Sequence, residues 1–202
     1  MVSRPHTGRR RNEAARRAVL AATISLLRRS EMKDVTIEAI AREARVGRQT
    51  IYRWWPSRAV IVLEAAEDYA EATVPDPGGA ATDDLRTFLR ATYVGAASDR
   101  TAPILRAIAA EALVDTQFAD VLHRFTAARR AVLRSILQRH GASPELSEYL
   151  SDVTYGLLWY RLLVGHAALD ETLADTTAAL VVEAIEADRE PRLARMPEPG
   201  LP

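Results

Sequence analysis

Three observations predict an all-α chain. No segment keeps the strict apolar/polar alternation of a half-buried strand, while apolar residues recur every three to four positions along most of the 202 residues. The breaks between these periodic stretches carry helix-capping residues, as at Thr36 and Ser57. Glycine and proline punctuate the remainder, most densely in VPDPGGAATDD from Val74 to Asp84 and again at Gly141-Ala-Ser-Pro144. The length suffices for one small and one medium domain, each with a core.

The elements follow in order. A first helix over about 12–29 turns Ala15, Val19, Ala22, Ile24 and Leu26 or Leu27 inward. Thr36 is a candidate N-cap for the next, Glu38 adds negative charge to its first turn, and Ile37, Ile40, Ala41 and Ala44 share one face. Ala41 is small enough for two helices to meet at a steep angle. Val46 is expected to plug the turn, and Gly47 to cap a second short helix whose inward residues are Ile51 and Trp55. Ser57 introduces a helix over about 58–73 with Val60, Ile61, Leu63 and Ala66 as its apolar set. After the Val74 break, helices are expected near 83–97, 102–113, 116–140, 144–164 and 171–188. The expected organisation is a basic arm over 1–11, a domain over 12–73, a linker over 74–83, a second domain over 84–190 and a disordered tail over 191–202.

The formal net charge of zero conceals a polarised chain. Residues 1–58 carry 14 Lys+Arg against 5 Asp+Glu, a net of +9, and the remainder carries 13 against 22, a net of −9. Such a split places a polyanion-facing end beside a body that phosphate repels. Arg4, Arg9, Arg10, Arg11, Arg16 and Arg17 extend the basic end as a candidate arm. Without cysteine, neither a disulfide nor a thiolate metal site is available. The four histidines are isolated, there is no glycine-rich phosphate loop, and no Ser/His/Asp grouping stands at useful spacing. No cofactor, metal or catalytic residue is therefore expected, and an enzyme is the disfavoured class. Met-Val-Ser-Arg-Pro lacks the apolar core of a signal peptide. The longest apolar stretch, 155–169, is interrupted by Arg161 and His166, so a cytoplasmic protein with no membrane partner is expected.

The chemistry concentrates between Thr36 and Arg58, in TIEAIAREARVGRQTIYRWWPSR. Two short helices joined by a tight turn present Arg48, Gln49, Thr50, Tyr52, Arg53 and Trp54 on an outward face. Arginine can bond guanine bidentately and glutamine can do so with adenine, each giving about 1–3 kcal/mol of base discrimination. The segment resembles the DNA-binding domain of the TetR/AcrR family of bacterial transcriptional regulators. The resemblance rests on Thr-Ile-x-x-Ile-Ala at Thr36 to Ala41, on Val46, on Thr50-Ile51-Tyr52, on Trp55 where Phe is usual and on Ser57-Arg58 where Ser-Lys is usual. It implies that Arg48, Gln49 and Thr50 lie nearest the base edges, and that Thr36, Tyr52, Trp54 and Arg58 contact phosphates. Arg45 stands where the family commonly has glycine; if the turn keeps its left-handed residue, this arginine adopts positive φ at roughly 1 kcal/mol and offers an extra phosphate contact.

For the body, the resemblance implies an effector pocket and a homodimer through the last two helices, binding double-stranded operator DNA. A stripe of Leu173, Ala174, Thr177, Leu180, Val181, Ala184 and Ile185 permits close helix approach, although an intramolecular face explains it as well. Candidate ligand-binding residues are Phe88, Tyr93, Leu105, Ile108, Phe118, Leu122, Phe125, Tyr155 and Trp159, with Leu162 beside them, for a small apolar or aromatic effector; the alternative is a plain helical core. The functional expectation is a ligand-released repressor on a palindromic operator. An activator or an effector-independent DNA-binding protein is the alternative.

Overall fold

A computed structural model describes residues 7–73 and 83–193, with side chains over 13–69 and 83–189. Among the described residues all regular structure is helical: α1 (Thr7–Arg29), a 3-10 turn (Met32–Asp34), α2 (Ile37–Ala44), α3 (Arg48–Tyr52), α4 (Arg58–Thr73), α5 (Asp84–Ala97), α6 (Ala102–Ala112), α7 (Thr116–Arg139), α8 (Pro144–Val164) and α9 (Glu171–Leu193). Helix α1 begins at Thr7, inside the stretch expected as an arm, and α9 runs to Leu193, inside the stretch expected as a tail. The rest of the arm (1–6), most of the linker (74–82) and the rest of the tail (194–202) lie outside the described residues.

The chain forms two compact units, one drawn from Met1–Ala72 and Asp99–Phe125, the other from Thr73–Ser98 and Thr126–Pro202. This cut differs from the one the proline-glycine break suggests, because 99–125 groups with the N-terminal helices. The reason lies in the core. Ile104 and Ile108 of α6 and Phe118 and Val121 of α7 join Val19, Leu27, Ile40, Ile51, Trp55 and Ile61 in one buried cluster. Each such side chain, fully buried, contributes about 1.5–3 kcal/mol, so helices that share the cluster stay together.

Local sequence sets the boundaries in the first unit. Thr36 Oγ1 accepts from the Ala39 amide at 3.1 Å and opens α2. Arg45 closes it in the left-handed conformation, φ 55° and ψ 42°, and the Val46 amide donates back to the Ala41 carbonyl at 3.0 Å. Val46, half-buried, packs onto the core as the turn plug. Gly47 adopts φ −72° and ψ 145°, extended backbone open to any residue, so conformational tolerance is not why glycine stands there. Arg16 of α1, expected as part of a basic arm, instead pairs with Glu64 of α4 and with Glu13 at 3.3 Å.

In the second unit, α5 packs against α9 and α8. Ser143 caps α8 by accepting from the Leu146 amide at 3.1 Å, with Pro144 in the first turn. The α9 stripe faces inward: Ala174, Thr177, Val181 and Ile185 are buried, and Leu180 alone of the seven is exposed. Most of that stripe is thus an intramolecular face. The exposed apolar line lies on α8, at Tyr149, Val153, Tyr160 and Leu163, with exposed Gly156 between. Successive steps of four, three, four and three residues make it a heptad-like seam.

Candidate nucleic-acid interface

Adjacent residues of the Thr36–Arg58 segment divide sharply. Ile51 and Trp55 are fully buried, and the Trp55 indole N–H donates to Glu64 Oε2 at 2.5 Å. Trp54 next door is 40% exposed and Tyr52 is 55% exposed. Arg45, Arg48, Gln49 and Arg53 are exposed with them, while Thr36 and Thr50 are half-buried. One buried side and one basic, aromatic side on so short a helix follow from the four-residue spacing of Ile51 and Trp55. Thr36 spends an oxygen lone pair on its cap but keeps its hydroxyl proton, which remains available to a phosphate. Arg48 Nη1 donates to Glu38 Oε1 at 3.0 Å across the α2–α3 turn, with both side chains more than half exposed. The carboxyl of Glu38 is held below its usual range by its own backbone amide and by Arg48.

Arg58, expected at a phosphate, has intramolecular partners. Its guanidinium donates to the Met32 carbonyl at 3.0 Å and to Glu111 Oε1 at 2.8 Å, and lies 4.9 Å above the centre of the Phe118 ring. Only 24% of the side chain is exposed. These three interactions tie Arg58 of α4 to α6 and α7. Glu111 is thereby a structural partner 53 residues away.

The candidate ligand residues divide between the two units. Leu105, Ile108, Phe118, Leu122 and Phe125 belong to the first unit, and Ile108 and Phe118 are fully buried in the cluster that supports α2 and α3. Apolar periodicity identifies such residues as inward but carries no information about which core they enter. Phe88, Tyr93, Tyr155 and Trp159 belong to the second unit. There the Tyr93 hydroxyl donates to the Thr154 carbonyl at 3.0 Å and the Tyr155 hydroxyl to the Arg129 carbonyl at 3.1 Å. Burial pushes both phenols up to about 12. Arg129 lies over the Phe88 ring at 5.4 Å, and the Thr92 and Thr154 hydroxyls are buried without a hydrogen-bond partner. Among the described residues, no group of three or more His, Asp or Glu side chains could hold a metal, and no helix is long and apolar enough to cross a membrane.

Comparison with known proteins agrees with this arrangement. A family model described as bacterial regulatory proteins, tetR family, matches residues 19–65, and one described as tetracyclin repressor-like, C-terminal domain, matches 74–181. The chain belongs to the TetR family of transcriptional regulators, with a helix-turn-helix DNA-binding region at its N-terminal end. It is 32% identical over 176 residues to the uncharacterized HTH-type transcriptional regulator Rv1556 of Mycobacterium tuberculosis, covering 83% of this chain and 84% of that one. It is 29% identical over 165 residues to the uncharacterized HTH-type transcriptional regulator YdeS of Bacillus subtilis, covering 78% and 82%. Among solved structures, it shares its fold with NalD of Pseudomonas aeruginosa, described as the secondary repressor of a multidrug efflux pump, at a TM-score of 0.55 and 19% identity over 88% of this chain and 96% of that one.

Proposed function

We propose that this regulator is a ligand-released repressor that binds a palindromic operator as a homodimer. The observation that carries the proposal is the outward face of the α3 segment, where Arg48, Gln49, Tyr52, Arg53 and Trp54 are exposed directly beside buried Ile51 and Trp55. Arg48, Gln49 and Thr50 read base edges, while Thr36, Arg45, Tyr52 and Trp54 fix the register on phosphates. Arg53 lies on the same face and adds charge. Arg58 supports the reader from inside its unit.

One short helix contacts too few base pairs for useful specificity, and a two-fold dimer doubles the reading. The α8 seam supports a second copy as the partner. Its mid-helix Gly156 disfavours the isolated helix by about 1 kcal/mol, and a Cβ placed there would meet nothing within 4 Å in the single chain. Close approach of a partner helix at that point explains why a glycine stands among large apolar residues. Half-sites would then lie about 34–36 Å apart, one turn of DNA.

For the effector, the supporting group is Phe88, Tyr93, Tyr155 and Trp159, an aromatic set in the second unit whose character suits a small apolar or aromatic molecule. Repression is the favoured direction, since a dimer seated on a promoter obstructs polymerase without further contacts, and NalD, of the same fold, is described as a repressor. The effector acts by binding better to a conformation whose reading heads are misplaced, and operator weakens effector binding by the same factor. The Arg58–Glu111 pair supplies a route from α6 to the start of α4. A cytoplasmic location accompanies this function. Selection of random duplex DNA by the purified protein tests the reading: enrichment of a two-fold symmetric sequence supports it, and enrichment of no sequence overturns it.

A further inference from the structure

The α2–α3 face contains a group that a simple phosphate-binding surface would exclude. Glu38 is an exposed carboxylate in the first turn of α2, on a segment that also exposes Arg42, Arg45, Arg48 and Arg53. Bulk electrostatics disfavours an anion on a surface that meets DNA, since each phosphate repels it. The exposed acid at the edge of α1 and α2 has a separate explanation: Glu43 pairs with Arg29 at 2.7 Å and accepts from Ser25. Glu38 turns the other way and holds Arg48.

The geometry of that contact is specific. Glu38 takes the Nη1 end of the guanidinium at 3.0 Å. Arginine has five N–H donors in a rigid plane, and bidentate recognition of guanine O6 and N7 needs two parallel ones on a single edge. With Nη1 held, the edge formed by Nε and Nη2 is still free to make that pair. The carboxylate thereby fixes the plane of a side chain that otherwise has four rotatable bonds, and it competes with phosphate for the same guanidinium.

We propose that Glu38 is a specificity-determining positioning residue, which orients Arg48 for guanine and keeps it from binding phosphate where no guanine is met. This rests on the reading of Arg48 as a base-contacting residue. A guanidinium held by Glu38 loses little when it meets guanine through its free edge. To reach a phosphate it must abandon the carboxylate or bring that carboxylate towards the backbone, and both disfavour random sequence.

The test compares the full-length protein with Glu38→Gln, Arg48→Ala and the double variant. Each is titrated, over a range of salt, against the selected consensus duplex and against random duplex, with thermal unfolding followed in parallel so that affinities refer to folded protein. Glu38→Gln keeps the shape and removes the charge. It is expected to tighten random binding and to narrow the ratio of consensus to random affinity by roughly 3- to 10-fold. The salt slope on random DNA should steepen by about 0.9, one added phosphate contact. In the Arg48→Ala background, Glu38→Gln should shift both duplexes equally. An equal shift on both duplexes in the wild-type background would overturn the proposal, leaving Glu38 as simple repulsion. Arg48→Ala separates the layers: if it leaves the ratio unchanged, the base-reading role of Arg48 fails. If it lowers the ratio while Glu38→Gln does not, only the role of Glu38 fails.

Discussion

Two exposed faces of this chain are built from opposite chemistry. On the first unit, the α3 segment turns out arginine, glutamine, tyrosine and tryptophan; on the second, α8 turns out tyrosine, valine, glycine and leucine at heptad spacing. Both stand beside well-buried residues, Ile51 and Trp55 in one case, Leu150, Leu158 and Leu162 in the other. Neither face is needed to complete its own core. The first suits a hydrated polyanion, which binds by charge and hydrogen bonding and weakens with salt. The second suits a dry apolar partner, which binds by area and is far less sensitive to salt. Exposure alone identifies nothing until the chemistry of the exposed line is read.

The largest expected effect comes from charging the apolar face. Tyr160→Arg lies on the surface, so the fold should survive, but sedimentation should show monomers and operator affinity should fall by about 100-fold or more, since each half-site is then bound without its neighbour. Unchanged dimers would remove α8 from the interface. Next comes Arg48→Ala, expected to cost about 1–3 kcal/mol per half-site on the consensus and little on random DNA, measured by competition between the two duplexes.

Arg58→Ala separates a reading residue from a supporting one. Loss of hydrogen bonds to Met32 and Glu111 should lower unfolding stability by about 1.5–3 kcal/mol, while the salt slope of DNA binding stays unchanged. A shallower slope would return Arg58 to the phosphate-contacting set.

Asp84 provides a change that spares both faces. Burial works to raise its carboxyl, but hydrogen bonds from His140 at 2.5 Å and Arg139 at 3.0 Å outweigh it and hold the group below its usual range. A depressed carboxylate stabilises the fold above its unfolded-state value and loses that contribution as pH falls through the lower folded value. Acid unfolding between about pH 4 and 2 should therefore be shallower in Asp84→Asn, with a loss of about 1–2 kcal/mol at neutral pH. The smallest effect is expected from Arg45→Gly, which relieves roughly 1 kcal/mol of left-handed strain and shallows the salt slope by about 0.9 if Arg45 holds a phosphate.

What the sequence made legible was local. The Thr36 cap, the Ile51/Trp55 spacing and the positive φ of Arg45 are set by a few neighbouring residues, and the structure has all three. What stayed hidden depends on distant partners. Nothing near Arg58 announces Glu111 or Phe118, and nothing near Arg16 announces Glu64. Ile108 and Tyr93 carry the same inward signal although they belong to different units. The α8 seam is written in the sequence by Tyr149, Val153, Gly156, Tyr160 and Leu163 at steps of four and three, whereas the smoother stripe of α9 belongs to a helix that α5 packs against.

The central claim is that a two-fold dimer reads DNA through Arg48. Random-duplex selection run side by side on the wild type and on Arg48→Ala tests it most directly. The wild type should yield a symmetric consensus, and the variant the same consensus with preference lost at one symmetric pair of positions. An asymmetric consensus, or a consensus that Arg48→Ala leaves intact, would contradict it.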